Sequence, residues 1–143
     1  MGGGYLADTV SKLIDEYGLN DYVNMLGEIR HNQMMSYYYN ADVFVMPSLR
    51  ETGGTVLIEA MAYGLPVVSF ACPCGPKEII VDGVDGFLVE PQNIKELACK
   101  ISYVIENEEI RKTMGYQASV NVHRYDIERI VPRWVQLFEE LTI

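Results

Sequence analysis

From Ala41 to Phe70 the chain passes through an apolar run that stops at Pro47, a glycine pair at Gly53-Gly54, a mostly apolar stretch over 57–63, a single Gly64 and a β-branched run over 66–70. That order reads as strand, glycine loop, helix, turn, strand. Two strands joined by a helix of about ten residues lie parallel, because the helix carries the chain back to the end of the sheet where it began. A parallel sheet is covered on both faces, so its strands read as near-continuous apolar runs.

The remaining sequence extends this pattern. Residues 5–17 place Leu6, Val10, Leu13, Ile14 and Tyr17 at helical spacing, and Gly18 supplies a C-terminal stop. The short runs 22–26, closed by Gly27, and 41–46 have strand character, and 31–39, with Met34, Met35 and Tyr37 to Tyr39, suits a short helix between them. Asp82 to Gly86 is dense in turn residues and leads into a last short strand at 87–89. Asn93 with Glu96 three residues later reads as a helix cap for 94–105, and helices over 108–121 and 127–141 follow, the last as a C-terminal tail. The expected fold class is α/β: a parallel sheet with helices on both faces, in a single domain over 1–143.

With 143 residues and 49% apolar content the chain can bury one sizeable core. A net charge of -9 argues against nucleic acid as a partner, since that requires a basic surface. Any phosphate must therefore be held locally. No apolar run approaches the roughly 20 residues of a membrane span. Met1 is followed by three glycines rather than a basic and apolar leader, so export is not expected and a cytoplasmic setting is. Cys72, Cys74 and Cys99 lack zinc or thioredoxin spacing and read as buried reduced thiols. His31 and His123 have no metal-ligand spacing and read as surface or packing residues, and Tyr37 to Tyr39 as helix packing.

Ligands of open parallel sheets bind beyond the carboxyl ends of the strands, which directs attention to 27–30, 48–55 and 71–77. In the second of these loops, paired glycines allow close backbone approach, and the helix behind them offers unpaired N–H groups and a positive dipole end. The amides around Gly53, Gly54, Thr55 and Val56 suit a diphosphate. Glu59 lies one turn into that helix among apolar neighbours, so its carboxylate requires donors, from the protein or from ligand hydroxyls such as those of a ribose. Glu51, eight residues earlier, is placed to reach a sugar at the other end of the same ligand. The alternative is a glycine loop and a glutamate that serve only the scaffold. Gly2-x-Gly4-x-x-Ala7 has the spacing of a dinucleotide fingerprint, but no strand precedes it.

Glu51 and Glu59 in E-x7-E spacing, followed by Ala-Met-Ala-Tyr-Gly64-Leu-Pro66-Val-Val, resemble the signature of the retaining GT-B glycosyltransferases of family 4. The resemblance extends upstream through Tyr39-x-Ala41-Asp42-Val-Phe-Val-Met-Pro47-Ser48 and downstream through Gly75-Pro-x-Glu78-Ile-Ile-x-Asp82-Gly83-x-x-Gly86-Phe-Leu-Val. It implies a Rossmann-like GT-B C-terminal domain that binds a nucleotide-sugar donor, a UDP-sugar ahead of a GDP-sugar, with no further cofactor and no metal. Glu51 then resembles the glutamate near the reacting sugar carbon, Glu59 the one on the ribose hydroxyls, Thr55 and Val56 the diphosphate cradle, and Ile29 the residue bordering the base. Glu51-Thr52-Gly53-Gly54 departs from the family's E-G-F-G by lacking the aromatic.

The resemblance further implies that the first strand, first helix and second strand of such a domain, and the acceptor domain, are not part of these residues. Two arrangements then stand open: the strand at 22–26 pairs beside 41–46, or an open sheet edge pairs with another chain. The implied activity is transfer of a hexosyl group to a saccharide or lipid-linked acceptor, held by the N-terminal domain, in the cytoplasm or against the inner face of the membrane. A noncatalytic donor-binding subunit of a split enzyme, and an inactive remnant, are the rival expectations.

Overall fold

The structure, a computed structural model, describes residue 4 and residues 6–141. The glycine motif beginning at Gly2, and the helical start at Tyr5, lie in part outside the described residues. The chain divides into two compact units, 1–37 and 38–143.

In the N-terminal unit, α1 (Ala7–Glu16) has Ile14 buried. It ends as expected at Gly18, whose φ is +63°. Gly18 N–H donates to the Asp15 carbonyl at 3.1 Å and Leu19 N–H to the Ile14 carbonyl at 2.9 Å, the double bond pattern that satisfies the last carbonyls of a helix. The expected strand at 22–26 does not form. Tyr22 and Val23 instead donate to the Leu19 carbonyl in turns, and Tyr22, Val23, Met25 and Leu26 are exposed. Strand character in a short run is not enough: the backbone groups need a neighbouring strand, and among the described residues none pairs with this one. Helix α2 (His31–Tyr39) follows, and the boundary between the units falls within it.

The second unit carries the sheet. Strands β1 (Phe44–Met46), β2 (Val67–Phe70) and β3 (Gly86–Val89) are all parallel, in the order β1-β2-β3. β1 is shorter than the run that announces it. Phe44 pairs with Val67, and Val67 in turn with Gly86. Helices α3 (Thr55–Ala62), α5 (Ile94–Glu106), α6 (Glu108–Asn121) and α7 (Ile127–Leu141) match the sequence reading to within two residues at each end. The four-residue α4 (Pro76–Ile79) and a 3₁₀ turn at Val122–Tyr125 were not anticipated.

Side chains of β2 alternate between the faces. Val68 and Phe70 join Val89, Leu97, Val104 and Met114 in one apolar cluster under α5 and α6. Val67 and Ser69 face the other way, and α3 packs against β1 and β2. Helices therefore cover both faces, and all four residues of β2 are buried, as its unbroken apolar run requires. Fully burying a side chain such as Leu57, Val67, Val68 or Val104 contributes about 1.5–3 kcal/mol.

Two local features hold the ends of the sheet. Asp85, fully buried, accepts from Val81 N–H at 2.8 Å and from Asn121 Nδ2 at 2.9 Å, tying the turn before β3 to the end of α6. Asn93 accepts from Glu96 N–H at 3.2 Å and donates from Nδ2 to the Glu96 carboxylate at 2.8 Å, so the expected cap forms with the side chains bonded to each other. Outside this core, α7 keeps Ile127, Val131, Trp134, Val135, Phe138 and Leu141 between 47% and 72% exposed. Among the described residues no helix is long and apolar enough to cross a membrane.

Gly115 in α6 lies against Gly64, the residue that turns α3 into β2. A Cβ at position 115 would collide with the Gly64 carbonyl oxygen and touch Pro66 Cδ at 3.4 Å. Alanine in a helix gains about 1 kcal/mol over glycine, but overpacking against backbone costs about 1–3 kcal/mol. Gly115→Ala is therefore expected to lower the unfolding free energy by up to about 2 kcal/mol in urea denaturation, against the sign that helix propensity alone gives.

Candidate functional site

The loops leaving β1 and β2 meet backbone to backbone. Gly54 has φ +66° and Gly75 φ +125°, conformations that side-chain-bearing residues rarely adopt. Space for a side chain is tight as well. A Cβ on Gly75 would lie 3.2 Å from the Gly53 carbonyl carbon and from the Gly54 nitrogen, and one on Gly54 would lie 3.1 Å from Ile79 Cδ1. This contact puts the start of α3 at the carboxyl ends of β1 and β2, where a ligand of an open α/β sheet is expected.

At that start, the Gly54 carbonyl accepts from Leu57 N–H at 2.9 Å, and no side chain caps the helix. Among the described hydrogen bonds none uses the N–H of Gly54, Thr55 or Val56. Three backbone donors and the positive end of the helix dipole thus converge where the sequence places a diphosphate. Gly53 and Thr55 are exposed, Val56 is half-buried, and Gly54 is buried beneath them.

Glu51 is half-buried in the loop between β1 and α3. The thiol of Cys72 is pushed up first by burial and then by the negative charge of Glu51. Cys72 is buried as expected, but Cys74 and Cys99 are exposed, which corrects the reading of all three as buried; all are free. Cys74 sits at φ +62° in the loop leading to Gly75, so the turn that makes the backbone contact carries its side chain outward.

Glu59 has the partner its apolar surroundings demand. Tyr38 Oη donates to Glu59 Oε2 at 3.0 Å. Tyr38 is 4% exposed, with its ring stacked on Tyr63 at 5.5 Å between centroids and tilted against Phe44 at 6.0 Å. Of the three consecutive tyrosines it alone is buried, while Tyr37 and Tyr39 are exposed. Tyr38 is the residue the sequence reading missed. The signal was present in Glu59 itself, which required a donor without saying which.

Ile29 is half-buried in the N-terminal unit, between Gly27 and α2. His123 is exposed and bonded through Nδ1 to Asp126 at 2.8 Å.

The sequence profile of the family described as Glycosyl transferases group 1 matches residues 1–120. An uncharacterized glycosyltransferase of Haemophilus influenzae is 32% identical over 134 residues, which make up 94% of this chain and 37% of that protein. The structure of sucrose-phosphate synthase from Thermosynechococcus elongatus superposes with a TM-score of 0.86 at 32% identity, over 99% of this chain and 35% of that one. That of Anabaena HepE in complex with UDP-glucose gives a TM-score of 0.86 at 27% identity, over 98% of this chain and 38% of that one. The chain thus spans little more than a third of the length of each.

Burial, then the hydrogen bond and charge of Glu59, then Tyr63, push the Tyr38 phenol up from 10.0 to about 12. A value raised by folding means that the contribution to stability is complete below pH 10 and is lost as pH climbs through about 12. Ultraviolet titration is expected to show a tyrosine that ionises only near pH 12 and is absent in Tyr38→Phe. Glu59→Gln is expected to lower that midpoint without returning it to 10, because burial is the larger cause.

Proposed function

The chain belongs to the glycosyl transferases of group 1, and from that premise we propose that residues 1–143 act together as the donor-binding part of a retaining, family 4 enzyme that transfers a hexosyl group from a nucleotide sugar to a saccharide or lipid-linked acceptor. The observation that carries this reading is the pair Glu51 and Glu59 on either side of three unused amides at the start of α3.

The donor diphosphate fits against Gly53, Gly54, Thr55 and Val56, where backbone N–H groups and the helix dipole offset its charge without basic side chains. In a chain of net charge -9 that local cradle is the means of holding an anion. Glu59 takes the ribose hydroxyls, and Glu51 the donor sugar near its reacting carbon. The same amides assist the chemistry: as the bond between the sugar's anomeric carbon and the diphosphate breaks, negative charge grows on the leaving oxygen they face, the acceptor oxygen bonds that carbon from the same side, and the acceptor's hydroxyl proton passes to the leaving diphosphate oxygen.

HepE, whose structure holds UDP-glucose, supports a UDP-sugar ahead of a GDP-sugar as donor. In this reading the acceptor is held by residues outside the 143, which bind donor without turning it over alone. A cytoplasmic setting, at the inner face of the membrane for a lipid-linked acceptor, goes with that donor chemistry. β1 forms one edge of the sheet, and a second chain pairing there would account for any self-association.

Calorimetry with UDP, GDP and ADP tests the assignment. UDP is expected to bind most tightly, and Glu59→Ala to weaken it by about 10-fold to 100-fold, the cost of about 1.5–3 kcal/mol for hydrogen bonds to a charged group. Glu51→Gln is expected to spare UDP and weaken the UDP-sugar. UDP affinity unchanged in Glu59→Ala contradicts the ribose role.

A further inference from the structure

A glutamate on a helix swings through many rotamers, and ligand binding must select the one that meets the ligand. Glu59 is not free to do so, because its Oε2 accepts from Tyr38 Oη at 3.0 Å. Tyr38 is itself held: it is 4% exposed, stacked on Tyr63 with 28° between the ring planes and tilted against Phe44. The hydroxyl therefore has a fixed place, set by aromatic packing rather than by the site.

Only one carboxylate oxygen is taken. Among the described residues no donor is bonded to Glu59 Oε1. No buried side-chain oxygen of the described residues lacks a partner, so Oε1 reaches solvent. A carboxylate accepts up to about four hydrogen bonds, so the phenol holds the group without exhausting it.

We propose that Tyr38 is a positioning residue for ribose recognition: it fixes the Glu59 carboxylate through Oε2 so that Oε1 is presented to the hydroxyls of the nucleotide's sugar. This rests on the ribose role of Glu59 given above. Tyr38 does not touch the nucleotide. Burial and the bond to Glu59 push its phenol up to about 12, so it remains a donor at neutral pH. Phenylalanine would preserve the stacking on Tyr63 and the contact with Phe44 but not the hold on Glu59.

The test is calorimetry on the full 143-residue chain with UDP and with 2′,3′-dideoxy-UDP, for wild type, Tyr38→Phe, Glu59→Ala and the double variant. Tyr38→Phe is expected to weaken UDP by about threefold to tenfold and to leave the dideoxy analogue within about twofold, so that the preference for the hydroxyls shrinks. In the Glu59→Ala background the same change is expected to do nothing more. Equal weakening of both ligands, or loss of both, means that Tyr38 only supports the fold and overturns the proposal. A preference that Glu59→Ala abolishes and Tyr38→Phe leaves intact overturns it alone. A preference untouched by Glu59→Ala, or a wild type that binds no UDP, removes the ribose role and the proposal with it.

Discussion

The architecture turns on one close approach, that of Gly75 to Gly53 and Gly54. Both loops leave the carboxyl ends of adjacent parallel strands, and a Cβ on Gly75 would crowd the Gly53 and Gly54 backbone at 3.2 Å. The consequence reaches beyond packing. With Gly54 in the left-handed region, α3 begins abruptly and without a side-chain cap, so its first amides remain free. A serine or aspartate cap would satisfy one of those donors and lower the affinity of the helix start for an anion.

The same economy governs charge. A strongly acidic chain is a poor general host for a diphosphate, and a cradle of main-chain amides confines the favourable field to one point. Two glutamates close to such an anion would repel it if they approached the phosphates. Glu59 lies one turn into α3 and is bonded to Tyr38, and Glu51 lies in the loop that leaves β1. The arrangement suits carboxylates that accept from hydroxyls at the two ends of a ligand, with the anion between them.

Much of this was legible in the sequence because its causes are local. The glycine loop before α3, the cap at Asn93 and the stop at Gly18 depend on residues within one or two turns, and each appears where it was read. What failed was nonlocal. The run at 22–26 has strand character but no strand to join among the described residues. The Tyr38 to Glu59 bond spans 21 positions, and which of three adjacent tyrosines turns inward is decided by Tyr63 and Phe44, not by the run itself. Cys74 looked like its buried neighbour Cys72, yet the left-handed turn before Gly75 directs it outward. Spacing alone left ligand and scaffold both open for Glu51 and Glu59, and the ligand roles proposed for them come from the family resemblance.

Whether free amides at the start of α3 hold a diphosphate is tested residue by residue by nuclear magnetic resonance of the ¹⁵N-labelled chain titrated with UDP. The largest amide shifts are expected on Gly53, Gly54, Thr55 and Val56, with Gly75 following through its contact. Shifts concentrated elsewhere, on the exposed face of α7 for instance, with these five amides unmoved, would contradict diphosphate binding there.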